Sequence, residues 1–231
     1  MPPSIGQFVT VIIVLITINA VNFVDGLDGL AAGIVAIAGA AFFTFAYLLA
    51  VVWGFSRAGA PSLMTAVLIG ICIGFLPHNL HPARIFMGDS GSMFLGLLLA
   101  SAAITLTGQV DPNAISAVEA GPTLLPLLLP FAVLAIPLAD LVLAIYRRVK
   151  AGRSPFAPDK EHLHHRLMVA GNSQQRTTVI MYLWTATIAF PGVVSAFAPL
   201  WVAALSACAM LAFTVYFSKS GIKSGVKNAA K

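Results

Sequence analysis

Charge is what this 231-residue chain has least of: 9% of its residues are Asp, Glu, Lys or Arg, against roughly 25% in an ordinary soluble domain. With 59% hydrophobic residues and a mean hydropathy of +0.93, a water-soluble monomer is excluded. Disorder and a nucleic-acid-binding module fail on the same arithmetic. Cysteine is nearly absent too. Cys72 and Cys208 sit in separate apolar runs, where they read as packing residues, and a secreted disulfide scaffold is excluded. No apolar run alternates polar and apolar residues, which excludes a membrane β-barrel. The opening Met1-Pro2-Pro3-Ser4 has no basic n-region and no small-residue cleavage site, so the apolar stretch after it reads as a first span rather than a signal peptide.

What remains is a series of uncharged runs. A bilayer core about 30 Å thick needs about 20 apolar residues per helix, and spans are expected near Ile5–Phe23, Leu30–Phe55, Ser62–Pro77, Ser92–Thr107, Pro122–Tyr146, Thr177–Val194 and Leu200–Phe217. The last two come from one uncharged stretch that Pro191-Gly192 and Pro199 interrupt, which predicts a turn over Pro191–Pro199. The expected fold is all-α: one polytopic membrane domain over residues 1–231, a helical bundle of about seven transmembrane helices.

Seven crossings sort the loops into two sets. One set comprises residues 22–29, 79–91, 147–176 and a basic tail, 218–231; it holds every Lys and Arg except Arg57. Cytoplasmic loops carry that excess, so these segments are expected in the cytoplasm and the N-terminus outside. Ordinary positive-inside topology accounts for most of the bias. The remainder suits anionic headgroups or phosphorylated ligands.

Polar residues in these loops are spaced in ways that suggest chemistry. Asn19, Asn22, Asp25 and Asp28 recur at intervals of three, which on a helix end puts their polar heads on one side. The glycines among them admit a ligand close to the backbone, and the carboxylates suit a hard cation or the hydroxyls of a nucleoside. A capped helix junction explains one Asp and one Gly, but not two Asn and two Asp in register. An EF-hand loop is excluded by the missing alternating ligands and terminal Glu.

In the second loop, Gly88-Asp89-Ser90-Gly91 superficially matches a trypsin-like nucleophile segment, but that fold needs strands. Asp89 is instead expected at a helix N-terminus, as a cap or as part of an ion or phosphate site. His78 and His81 read as interfacial or loop-structuring residues. The third loop brings Arg147, Arg148, Lys150, Arg153, Lys160, His162, His164, His165, Arg166 and Arg176 against Asp159 and Glu161, a density suited to a polyphosphate or lipid phosphate. His162, His164 and His165 lack the partners a zinc site requires. Asp140, seven residues before Arg147 inside a span, is either an intramembrane functional carboxylate or a partner of Arg147 or Arg148.

Taken together, Asn19–Leu30, Phe75–Gly96 and Ser154–Arg166 resemble three signature loops of the polyprenyl-phosphate N-acetylhexosamine-1-phosphate transferases, in the same order along the chain. N-A-V-N-F-V-D-G-L-D-G-L-A, N-L-H-P-A-R-I-F-M-G-D-S-G-S and H-L-H-H carry the match. The resemblance implies a multi-pass enzyme of the inner (plasma) membrane with its active-site loops and C-terminus in the cytoplasm. Its reaction would move N-acetylglucosamine-1-phosphate from UDP-N-acetylglucosamine to an undecaprenyl or decaprenyl phosphate and release UMP, the first membrane step of cell-envelope glycan synthesis. S-P-F-A-P-D-K-E-H-L-H-H-R-L points to the N-acetylglucosamine branch.

By the same resemblance Asp89, Asp25 and Asp28 would be catalytic. Asp89 and Asp25 would hold Mg2+, or Mn2+ in its place. Asn22, Gly26, Asp28, Asn79 and Phe86 would bind the nucleotide, Phe86 by stacking on uracil. His162, His164, His165 and Arg166 would contact the diphosphate or sugar. The family also carries an early loop with adjacent aspartates, and no Asp-Asp pair occurs here. The chain is accordingly expected to be the C-terminal portion of a transferase, acting as a homodimer or with a separate N-terminal half. Two other readings stay open: a catalytically incomplete fragment that binds nucleotide sugar or lipid phosphate, and a transporter suggested by Asp140 and the proline-rich fifth span. A transporter would gather its polar residues near the midplane, whereas these lie at one surface.

Overall fold

The computed structural model describes residues 3–52, 54, 58–108, 132, 135–152, 154 and 163–229. Their regular structure is entirely helical: α1 Pro3–Val24, α2 Leu30–Val52, α3 Gly59–Asn79, α4 Gly88–Gly108, α5 Ala135–Lys150, α6 Leu163–Val169, α7 Gln174–Phe197 and α8 Leu200–Ala229. Six of these, α1 to α4, α7 and α8, contain segments long and apolar enough to cross a membrane, where only structures that satisfy their own backbone hydrogen bonds survive. The chain is an all-α, multi-pass membrane protein. Of the expected fifth span, Pro122–Tyr146, only residue 132 and the part within α5 are among the described residues.

One expected boundary is corrected. α7 runs straight through Pro191-Gly192 to Phe197, and the chain turns only at Ala198-Pro199. Ala198 is extended (φ −132°, ψ 158°), the conformation that a following proline favours, while its N–H still reaches the Val194 carbonyl at 2.9 Å. Pro191 lacks one donor, which a membrane helix packed against neighbours tolerates.

α2 is the hub. It packs most extensively on α3 and also on α7 and α4, while α1 lies along α4 and α8 along α7. Its sequence explains this: Ala31, Ala32, Gly33, Ala38, Gly39 and Ala41 let neighbouring helices approach, and Phe42, Phe45 and Leu49 fill the space between them. A Cβ on Gly39 would lie 3.1 Å from Ile69, and one on Gly96 would lie 2.8 Å from the Ile18 Cα. Phe45 meets Phe197 with the rings tilted by 57° and their centroids 5.6 Å apart, and a Thr187–Thr214 hydroxyl pair at 2.8 Å ties α7 to α8. The close α1–α4 crossing sets the C-terminal turn of α1 against the N-terminal turn of α4.

Candidate active site

The first loop is a compact turn. After Val24 the Asp25 N–H still bonds the Asn22 carbonyl (3.2 Å), Gly26 N–H bonds Val24 O (2.7 Å), and Leu30 N–H bonds Leu27 O (3.0 Å). Gly29 closes it with φ +76°, where a side chain would also collide with Leu80 at 2.9 Å. Both faces of the Gly29 peptide are held from elsewhere. Its N–H donates to Asn79 Oδ1 at 3.1 Å, and its carbonyl accepts the Tyr182 hydroxyl of α7. Asn79 is 3% exposed, and its Nδ2 donates to the Ile85 carbonyl at 2.9 Å. Its amide is therefore committed to joining the first loop to the second.

The even spacing of the four polar residues does not survive as one cluster. Asn19 donates back to the Leu15 carbonyl (2.7 Å) within α1. Asn22 reaches α4, donating to Asp89 Oδ1 at 3.1 Å and Ser92 Oγ at 2.9 Å. Ser92, fully buried, passes its own hydroxyl to the Gly88 and Asp89 carbonyls. Asp28 turns the other way, towards His81 Nδ1 (2.8 Å) and the Ala83 N–H (3.2 Å). The helical period ends at Val24, and the turn splits the set into an Asn22/Asp25/Asp89 group and an Asp28/His81 group.

Asp25 is half-buried, and burial together with the Asp89 charge beside it pushes its carboxyl up to about 6. Asp89 occupies the first turn of α4, where unpaired amides favour an anion. Half-buried Asp25, whose charge burial and its neighbour disfavour, beside an exposed Asp89 that Asn22 orients, fits a divalent cation. Mg2+ takes one or two carboxylates and completes its shell with water and substrate phosphates. Among the described residues no group of three or more His, Cys, Asp or Glu forms a fuller cage.

Gly26 is exposed on the same turn, and Phe86 is 74% exposed on the second loop. Phe86 and Met87 also roof an apolar cavity of about 200 Å³ between α3 and α4, whose walls include Phe75, Gly91 and Phe94. Arg166 is exposed on α6, which also contains His164 and His165; the side chains of those two histidines, and all of His162, lie outside the described residues. A tight turn with Gly171 at φ +96° joins α6 to α7, whose Gln175 donates to the His81 carbonyl at 3.2 Å. The third loop thus meets the second at the same end of the bundle.

Four residues of this network carry no sequence signal strong enough to single them out for these contacts: His81, Ser92, Gln175 and Tyr182. Ser92 follows an obvious helix start and His81 is a lone loop histidine, while Tyr182 lies deep in an apolar span, where nothing in its neighbours announces a bond to a loop 153 residues earlier.

Residues 1–107, which supply α1 to α4 and both of the first two loops, match the family described as Glycosyl transferase family 4. The family segment contains Asn22, Asp25, Asp28, Asn79, Phe86 and Asp89, and excludes the basic third loop. Among curated proteins similar to this chain, the decaprenyl-phosphate N-acetylglucosaminephosphotransferase of Mycobacterium tuberculosis is 52% identical over 137 residues, 59% of this chain and 34% of the relative. The probable undecaprenyl-phosphate N-acetylglucosaminyl 1-phosphate transferase of Bacillus subtilis is 35% identical over 138 residues, 60% of this chain and 36% of the relative. The undecaprenyl-phosphate alpha-N-acetylglucosaminyl 1-phosphate transferase of Escherichia coli K12 is 36% identical over 136 residues, 58% and 34%. The chain spans about a third of the length of these relatives.

Proposed function

We propose that this chain takes part in transfer of N-acetylglucosamine-1-phosphate from UDP-N-acetylglucosamine to a polyprenyl phosphate at the cytoplasmic face of the membrane. An oxygen of the lipid phosphate attacks the phosphorus attached to the sugar, the bond from that phosphorus to the bridging oxygen breaks, and UMP leaves with the electron pair. Phosphoryl transfer of this kind asks a protein mainly for positioning and for compensation of diphosphate charge. Asp25 and Asp89 would hold Mg2+, which when bound supplies that compensation.

The chain's own residues supply the rest. Asn22 holds Asp89 in place and is itself held by Ser92. The exposed ring of Phe86 offers a stacking face for uracil, and Gly26 allows close backbone approach. His162, His164, His165 and Arg166 would meet the diphosphate or sugar. The membrane-embedded bundle brings the lipid substrate to the loops. The observation that carries this reading is half-buried Asp25 beside exposed Asp89, the latter held by Asn22, at the end of the bundle where the loops converge.

The test is UMP release by the purified chain in detergent with polyprenyl phosphate, UDP-N-acetylglucosamine and Mg2+, beside Asp89→Asn. Mg2+-dependent release that Asp89→Asn abolishes is expected. Release that survives Asp89→Asn, or no release from the wild-type chain, overturns the proposal.

A further inference from the structure

Asp28 is the acidic side chain that the Asp25–Asp89 pair leaves out, and its surroundings are specific. Both lone pairs of Oδ2 are used, one by His81 Nδ1 at 2.8 Å and one by the Ala83 N–H at 3.2 Å. A carboxylate only accepts, so the proton of the first bond sits on Nδ1. Oδ1 has no hydrogen-bond partner among the described residues, and the Asp28 side chain is 18% exposed, which leaves that oxygen reachable from the loop surface.

His81 is held in turn. Gln175 of α7 donates to its carbonyl at 3.2 Å. Two residues before it, buried Asn79 bonds the N–H of Gly29, the residue next to Asp28. Bonds from α3, α7 and the second loop therefore converge on one result, a carboxylate with one oxygen anchored and the other free.

We propose that His81 is a positioning residue for nucleotide recognition, aiming the free oxygen of Asp28 at an uncharged donor of the nucleotide, a ribose hydroxyl or a base N–H. The inference rests on the nucleotide-site reading above and divides the site between two groups. A phosphate presents only oxygens and would be repelled by Asp28, whereas a hydroxyl or N–H supplies the missing proton. The phosphates then belong at Asp25 and Asp89, and the donor-bearing part of the nucleotide at Asp28.

The experiment is calorimetric titration of UMP into the full chain in detergent with Mg2+, for wild type, His81→Asn, His81→Leu, Asp28→Asn and the His81→Leu/Asp28→Asn pair, with a melting curve for each. Asparagine places an amide donor close to the position of Nδ1, so it tests whether the bond rather than the ring matters. His81→Leu should weaken UMP binding about tenfold, and His81→Asn should stay within about threefold of wild type. Adding His81→Leu to Asp28→Asn should cause no further loss, because no carboxylate remains to be aimed.

Wild-type affinity in His81→Leu, or a full extra loss on top of Asp28→Asn, overturns the inference while leaving the nucleotide site standing. Absence of UMP binding by the wild-type chain overturns the nucleotide-site reading and this inference with it. If His81→Leu does not fold, His81→Asn decides: a tenfold loss there refutes the role of the bond.

Discussion

The contact between Gly33 and Tyr182 makes a sharp test, because one substitution should change sign with its background. A Cβ placed on Gly33 would fall 2.0 Å from Cζ, 2.1 Å from the hydroxyl oxygen and 2.3 Å from Cε1 of Tyr182. All are far inside van der Waals contact, so the ring must move by more than an ångström on any accommodation. The Tyr182 hydroxyl is bonded to the carbonyl of Gly29, so moving the ring also strips a loop carbonyl of its donor. Overpacking of this kind costs about 1–3 kcal/mol and an orphaned buried acceptor about 1–3 kcal/mol. Replacing a helical glycine by alanine returns up to about 1 kcal/mol, and less in the first turn where Gly33 lies. Gly33→Ala should therefore destabilise the chain by about 2–4 kcal/mol.

In a Tyr182→Ala background the obstruction and the hydroxyl are already gone, and the same Gly33→Ala change should be neutral or stabilising by up to about 1 kcal/mol. The assay is thermal unfolding in detergent of the four proteins of the cycle, whose coupling should reach about 3 kcal/mol in the sense that the double variant is better than additive. Equal drops in melting temperature for Gly33→Ala in both backgrounds would refute the packing argument, and with it the claim that Tyr182 fills the notch in α2.

The other predictions concern the same end of the bundle. Asn79→Ala should lower the melting temperature by orphaning the Gly29 N–H and the Ile85 carbonyl, each costing about 1–3 kcal/mol; Asn79→Asp should not rescue it, since a carboxylate cannot donate to Ile85, and a wild-type melting curve for the Asp variant would contradict this. Gly96→Ala puts a Cβ 2.8 Å from the Ile18 Cα and must spread α1 from α4 one turn from Asn22 and Ser92, so loss of UMP release together with a destabilisation of about 1–3 kcal/mol is expected, and full activity would show that the crossing does not set the site. For Asp25 the sign follows from its raised value of about 6: the protonated carboxyl suits its half-buried place, so its contribution to stability is fully present below about pH 4 and is lost as pH rises through 6. In metal-free buffer Asp25→Asn should therefore melt above wild type at pH 7 and converge with it near pH 4, and a difference independent of pH would count against that environment.

How much of this is legible in the sequence depends on the physics that dominates each level. Spans are set by a bilayer that tolerates little charge and no unpaired backbone, so uncharged runs reveal α1 to α4 and α7 nearly end to end, and α8 only as far as Phe217, since the helix runs on through the basic tail to Ala229. The miss at Pro191 has the same origin in reverse. Proline is a reliable stop where water competes for the backbone, but inside a packed membrane helix it costs one bond, and the turn waits for Ala198-Pro199, where the extended backbone is already favoured.

The sequence names candidate residues for the site but not their partnerships. Asp25, Asp28 and Asp89 stand out because carboxylates are scarce here, yet interval-of-three spacing treats Asp25 and Asp28 as equivalent, and they are not. Periodicity speaks only while the helix lasts. After Val24 the direction of each side chain is decided by what other elements offer: the N-terminal turn of α4 for Asn22, bringing Asp25 near Asp89, and the loop histidine for Asp28. Those offers come from residues that look unremarkable in their own segments. Gly96 places α4 close enough for Asn22 to reach across, and Tyr182 together with Asn79 fixes the peptide that follows Asp28. A loop pinned on both sides in this way keeps the two carboxylates among different neighbours, because any motion that carried Asp28 towards Asp89 would break the Gly29 bonds and the His81 bond together. The separation of the Asp25–Asp89 pair from the Asp28–His81 pair is thus a consequence of helix packing at a distance, which no local pattern around Asp25-Gly26-Leu27-Asp28-Gly29 could express.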